Sequence, residues 1–436
     1  MPFLHFREPI ITRNYEVLGN GFNLQPSPNA IEEAKSFRWN IELAKDITAL
    51  FSSIILTAIA YGILVALIAF KVNENIKNEI LISISSATQI GAGVLFGRFL
   101  PILGRKMGMI NSIYLASLVS AVSALALYFY VDYFLWISVI FFFGASLFIG
   151  GVTRQTIMIG LAPPHTKALM ISMGGMLVAI GNGFGPILLE IIKTDNSFWS
   201  YLIVALLYLL SMLPLSRLKK TEDKVREEKN IGIWRYLQAS PKIMMAGFCV
   251  NYSMSAANAF LIIYGLKIGL SESEASLLYS VLLFGTVFSI PLGYLTDVVN
   301  RRLLMIASAA LSLICVIAIY NAGSPEAIRP LLFITFGCLV GMKLPAVVLI
   351  NEKYKPTQRL AVNAAFAKFS LIGNVIGIFT TGAIMKFFGA DGLWISISII
   401  LSFYLLFCIA NYSKKMFDGN LKFARFSLTN KSKMEQ

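Results

Sequence analysis

Three cations sit where so apolar a chain should not keep them: Arg154 in "GGVTRQT", Lys343 in "GMKLP" and Lys368 in "FAKFS". Each lies within a run of apolar residues long enough to cross a bilayer, where a charge is costly and usually functional. No acid stands at comparable depth, since Asp46 opens the first run and Glu190 falls near the end of the fifth. A cation without a carboxylate partner is stabilised by a visiting anion, so Arg154 and Lys343 mark a site for a carboxylate- or phosphate-bearing solute. The competing reading is that Arg154, and still more Lys368, extends its long side chain to the nearby membrane surface. Tyr61, Gln155, Asn251 and Asn258 are further candidate contacts, which could instead bond between helices.

A second set of charges lies between apolar runs. The stretch "GYLTDVVNRR" holds Gly293, Asp297, Arg301 and Arg302, and an earlier stretch, "GRFLPILGRK", holds Gly97, Arg105 and Lys106 with Pro101 in the acid's place. Asp297 can accept from a neighbouring helix N-terminus, while the arginines can hold lipid phosphates or another helix's carboxylate. Such a loop could act as a conformational latch. A third pattern, Gly181, Gly185 and Pro186 in "GNGFGP", offers small residues at the spacing that lets helices pack closely.

Other chemistries find little to work with. The two histidines are His5 and His165, and the four cysteines (Cys249, Cys315, Cys338, Cys408) have no metal-ligand spacing. Neither a metal nor another cofactor is expected. No Gly-x-x-x-x-Gly-Lys-Ser/Thr loop occurs to drive ATP hydrolysis, and no nucleophile–base cluster supports an enzyme.

The elements that position these residues are membrane helices. Of 436 residues, 57% are hydrophobic, against about 45–50% for soluble domains. Continuous apolar runs exclude a β-barrel's alternation and predict an all-α polytopic bundle. Twelve spans are expected, at 47–70, 81–103, 107–130, 134–162, 167–192, 198–216, 243–266, 274–296, 303–322, 330–350, 361–385 and 391–412. Of the 37 Lys and Arg, six fall in one set of alternate loops and three within spans; the rest gather on the other side, so both termini are expected in the cytoplasm. That bias accounts for the net charge of +14 through anionic lipid headgroups, without nucleic acid.

The chain divides into a cytoplasmic extension at 1–45, with an amphipathic helix opened by Ser27 and Pro28, a six-helix bundle at 46–216, a basic loop at 217–242, a second bundle at 243–413 and a basic tail at 414–436. No signal-peptide core precedes the first span, which is expected to direct insertion itself. The bundles repeat. "PHTKALM" from Pro164 pairs with "PTQRLAV" from Pro356, and "GNGFG" from Gly181 with "GNVIG" from Gly373, both at an offset of 192.

On the two Gly-x-x-x-Asp-type loops, the six-plus-six repeat and the passage from Tyr264 to Arg302, the chain resembles the major facilitator superfamily over roughly residues 46–413. The resemblance implies two pseudo-repeated six-helix bundles and a secondary transporter that moves a small solute by alternating access. It also implies a plasma-membrane location, the inner membrane in a bacterium, with an ion or solute gradient as energy source through a coupling proton or counter-substrate. It places the first, fourth, seventh and tenth spans around the path, and the protein is expected to work as a monomer. Gly181, Gly185 and Pro186 partly match the antiporter motif of drug exporters, so efflux is an alternative; a non-transporting sensor or scaffold is another.

Overall fold

The computed structural model of the protein describes residues 41–76, 78–96, 99–129, 132–162, 167–192, 198–218, 233–322, 324–354 and 356–410. The expected amphipathic helix, most of the central loop and the basic tail lie outside them. Among the described residues the structure is helical, without strands. The first group comprises α1 (Ile41–Asn75), α2 (Glu79–Phe96), α3 (Leu100–Met107), α4 (Met109–Ala126), α5 (Tyr133–Leu161), α6 (Lys167–Ile192) and α7 (Phe198–Leu210). After the short α8 (Ile233–Ala239) come α9 (Pro241–Lys267), α10 (Glu272–Gly285), α11 (Ser289–Val298), α12 (Arg301–Tyr320), α13 (Pro325–Lys353), α14 (Pro356–Phe388) and α15 at 392–410.

Ten helical stretches among the described residues are long and apolar enough to cross a membrane. One of them, Ala365–Ala410, contains the turn Gly389–Asp391, where Gly389 takes a φ of 67° that ordinary side chains resist. Large apolar side chains cover the outside, with Phe134 and Phe387 each 80% exposed, as lipid-facing surfaces allow and water-facing ones seldom do.

Local chemistry sets the helix starts. Asp132 accepts from Leu135 N at 2.8 Å to begin α5, and Ser271 with Glu274 forms a reciprocal capping box on α10. Asn300 accepts from the backbone N–H groups of Arg302 and Leu303, starting α12.

The second expected span needs correction, and the eighth, which holds as the membrane-length stretch Glu272–Thr296, has a break inside it. The second, 81–103, ends at Phe96; α3 is a separate short helix whose Pro101 suits its first turn. The eighth, 274–296, is interrupted after Gly285 by a 3-10 turn, Thr286–Phe288, before α11. At that break Gly285 packs so closely that an added Cβ would lie 2.5 Å from Phe333 O, and Thr286 Oγ1 donates back to Leu283 O at 2.6 Å. Part of the expected 217–242 loop, Ile233–Ala239, is helical.

The two groups pack by equivalent rules. Helix α1 lies against α6 as α9 lies against α14, and the halves join through two related pairs, α6 with α10 and α2 with α14. At these joints Phe184 meets Phe284 edge-on at 5.3 Å and Ser83 Oγ donates to Ile378 O at 3.3 Å, and beside the second joint Lys267 of α9 forms an ion pair with Glu79 of α2. The last two contacts seal the end of the molecule where α2 begins and α9 ends.

Candidate functional site

Below that sealed end, the first half lines a partly open cavity of about 510 Å³. Its walls come from α1, α4, α5 and α6, with Tyr208 of α7. Ile54, Ala58, Leu147, Met158 and Val178 supply apolar surface; Tyr61, Ser117, Ser120, Ser146, Gln155, Asn182, Tyr208 and Arg154 supply polar groups. No Asp or Glu is among the lining residues.

Arg154 is 7% exposed. A helical side chain leans toward its own helix N-terminus, and Gly150, one turn earlier, leaves the guanidinium its room: a Cβ there would stand 2.9 Å from Nη1. The side chain therefore runs away from the nearer, C-terminal end of α5 instead of extending to a surface there. Arg154 Nε donates to Ser53 Oγ at 3.1 Å and Nη2 to Ser117 Oγ at 3.2 Å. Neutral hydroxyls thus hold the cation and leave its charge unbalanced among the described residues.

Two other lining groups are unsatisfied. Asn182 Oδ1 and the Tyr208 hydroxyl are buried without a hydrogen-bond partner among the described residues, although buried polar atoms are normally paired. Tyr61 is better served: its hydroxyl accepts from Gln89 Nε2 at 3.3 Å, and its ring stacks with Phe143. Gln155 is exposed on the cavity wall.

The second half does not complete this cavity. Lys343, expected to share it, is exposed on α13 and donates to Asn251 Oδ1 of α9 at 3.5 Å; neither residue lines it. The two cations share a membrane depth but not a wall. Asn258 is exposed on α9, also outside the lining, and Lys368 is exposed on α14.

Gly181 and Gly185 lie where α6 crosses α1. A Cβ on Gly181 would fall 2.6 Å from Ala58 Cβ, and one on Gly185 2.5 Å from the Gly62 carbonyl carbon; Pro186 follows inside α6. In the second half, Gly373 and Gly377 bring α14 equally close to Phe248 O, at 2.5 Å, and Tyr252 O, at 2.6 Å, on α9.

Of the charged loops, Gly293 and Asp297 fall on α11 and Arg301 starts α12. Arg301 Nη1 donates to both Glu352 oxygens, at 2.6 and 2.7 Å, and its Nε to Thr296 O at 3.1 Å. This carboxylate belongs to α13 of the same half. Arg302 is exposed. In the first copy Arg105 and Lys106 are on α3, while Gly97 lies outside the described residues. Among the described residues, no group of three or more His, Cys, Asp or Glu could hold a metal.

A sequence model of the Major Facilitator Superfamily matches residues 47–285 and, again, 243–417. The chain belongs to the major facilitator superfamily. Relatives within the superfamily include the MFS-type transporter YcaD of Escherichia fergusonii, 24% identical over 314 residues, which span 70% of this chain and 80% of the relative. YfkF of Bacillus subtilis is 23% identical over 288 residues, or 62% of this chain and 72% of that one. Among solved structures, the nucleoside transporter NupG aligns over 84% of this chain and 99% of its own with a TM-score of 0.71 at 12% identity. A bacterial homologue of the human lysosomal transporter Spinster gives 0.65 at 14% identity, over 86% and 97%. Superfamily members are transporters of small molecules, and this chain is accordingly a multi-pass integral protein of the plasma membrane.

Sequence reasoning missed Asn182, Tyr208, Ser53, Ser117, Asn300 and Glu352. Asn182 stood within a motif read only for its glycines, though an Asn at membrane depth was itself a signal. Tyr208, inside "ALLYLLSML", carried no mark to separate a cavity-facing ring from a lipid-facing one.

Proposed function

We propose that this facilitator moves a small anionic solute by alternating access, with Arg154 as the anion's anchor. One observation carries the reading: a buried guanidinium, tied by neutral serines, lines a cavity that has no acidic lining residue. Twelve crossings are counted when α2 is included and α14 and α15 are taken as separate legs, and both termini are then cytoplasmic by the distribution of Lys and Arg. With that orientation the end carrying Glu79 and Lys267 faces outward, and their pairing supports reading this conformation as inward-facing. The α11–α12 corner is the latch in this scheme. In the present state Arg301 ties it to Glu352 within its own half.

Efflux by an exporter mechanism has less support. Its motif rests on Gly181 and Gly185, and their close packing recurs at Gly373 and Gly377, as expected of a repeat's architecture. The energy source is a coupled proton or an exchanged solute.

The test is thermal unfolding of the purified chain against carboxylates, phosphates, sugars, nucleosides and lipophilic cations, repeated with Arg154→Gln. Ligand at a hundred times its dissociation constant adds roughly 2.7 kcal/mol to the folded state. An anion should stabilise the parent and not the variant. Stabilisation by lipophilic cations alone would instead favour the exporter.

A further inference from the structure

The cavity carries more than a charge. Nε and one Nη2 hydrogen of Arg154 point to Ser53 and Ser117, so among the described residues Nη1 and the second Nη2 hydrogen stay uncommitted and can serve a ligand. That end-on fork matches the two oxygens of a carboxylate. One cation with no acid among the lining residues balances one negative charge. A second would remain uncompensated against Ile54, Ala58, Leu147, Met158 and Val178, where desolvation is not repaid. A ligand amine carrying its own positive charge would meet Arg154 with no lining carboxylate to offset it.

The unsatisfied groups say what the rest of the ligand supplies. Asn182 Oδ1 on α6 is a pure acceptor, and the hydroxyl of Tyr208 on α7, a residue only 1% exposed, can donate or accept. Both line the same cavity as Arg154, whose 510 Å³ falls within the range of small-molecule sites, about 300–1,000 Å³. We propose that the site takes a monocarboxylate with an apolar body and a hydroxyl or neutral N–H group, its carboxylate on Arg154 and its donor on Asn182, with Tyr208 bonding beside them. This rests on the anionic reading above and narrows it from anions at large to one class.

The probes are 4-hydroxyphenylacetate, phenylacetate, succinate and inorganic phosphate. Their dissociation constants are measured by thermal unfolding and calorimetry on the full chain in detergent. The hydroxylated monoacid should bind at least tenfold more tightly than succinate or phosphate, and several-fold more tightly than phenylacetate. Asn182→Leu should erase the preference between the two monoacids, Tyr208→Phe should weaken the hydroxylated probe at least threefold, and Arg154→Gln should abolish binding. Arg154→Lys, which keeps the charge, serves if the Gln variant fails to fold, and should retain weakened binding. Succinate or phosphate binding as tightly, and through Arg154, would overturn the monocarboxylate assignment and leave the anionic reading standing. Binding untouched by Arg154→Gln, or no response to any anion, would overturn both. A preference between the monoacids that survives Asn182→Leu would remove Asn182 from the site.

Discussion

At the residue scale the cost of a single atom is clearest at the helix crossing beside the cavity. Gly185 meets the backbone of α1 at Gly62, and an added Cβ at 2.5 Å has no flexible side chain to push aside. Gly185→Val is therefore expected to lower the unfolding midpoint by the equivalent of about 1–3 kcal/mol, the range for overpacking a filled core. Gly175→Ala, at a cavity-lining position with no atom within 4 Å, should leave the midpoint within error of the parent. A scan of both variants checks the contrast, and equal midpoints would mean that the crossing relaxes freely. Charges at membrane depth were legible in the sequence because they are rare there, and Arg154 was found that way. What sequence could not give was direction. Arg154 turns back over Gly150 toward two serines on other helices, while Lys343, one of the same class, points to Asn251 within its own, second half.

At the scale of elements, the joint between α2 and α9 is the place where a local change has a global reading. Lys267 and Glu79 pair across the halves with side chains 29% and 15% exposed, so water screens the attraction and it is worth about 1 kcal/mol, roughly a fivefold shift in a two-state balance. Glu79→Lys sets two cations against each other and should open the sealed end more often. The expected sign is a several-fold faster reaction of a cysteine at Ser83, which is buried at the same joint, with a water-soluble maleimide. Adding Lys267→Glu restores opposite charges and should return the rate to that of the parent. If the single reversal reacts no faster, the seal is held by apolar packing such as Phe184 on Phe284 and the pair is incidental. The helices themselves were legible to within a few residues where apolar runs ended at caps, as at Asp132 and Ser271. They were not where a break depends on a distant contact: nothing local in "LLFGTVFSIPLG" reveals that Gly285 must yield to Phe333.

For the whole molecule, the repeat was legible because the same close crossings need the same glycines, which left an offset of 192 in the sequence. The conformational state was not, since the alternating access proposed above requires one sequence to stabilise both ends in turn. The sealed end therefore makes the sharpest test of how the halves move. A Cβ on Gly382 would stand 3.1 Å from Ser83 Cβ, a few tenths of an ångström inside the roughly 3.5–4.5 Å of a disulfide, so small backbone give admits the bond. The double variant Ser83→Cys/Gly382→Cys, oxidised, should lock α2 to α14 in the present state. The native cysteines offer little competition, three being buried and Cys338 half-buried. Solute binding in detergent should survive, because the cavity lies entirely in the first half and away from the lock. Transport in proteoliposomes should cease and return with a reducing agent. Transport that continues through the oxidised protein would show that the halves need not part at this end, and would rule out alternating access by their separation there.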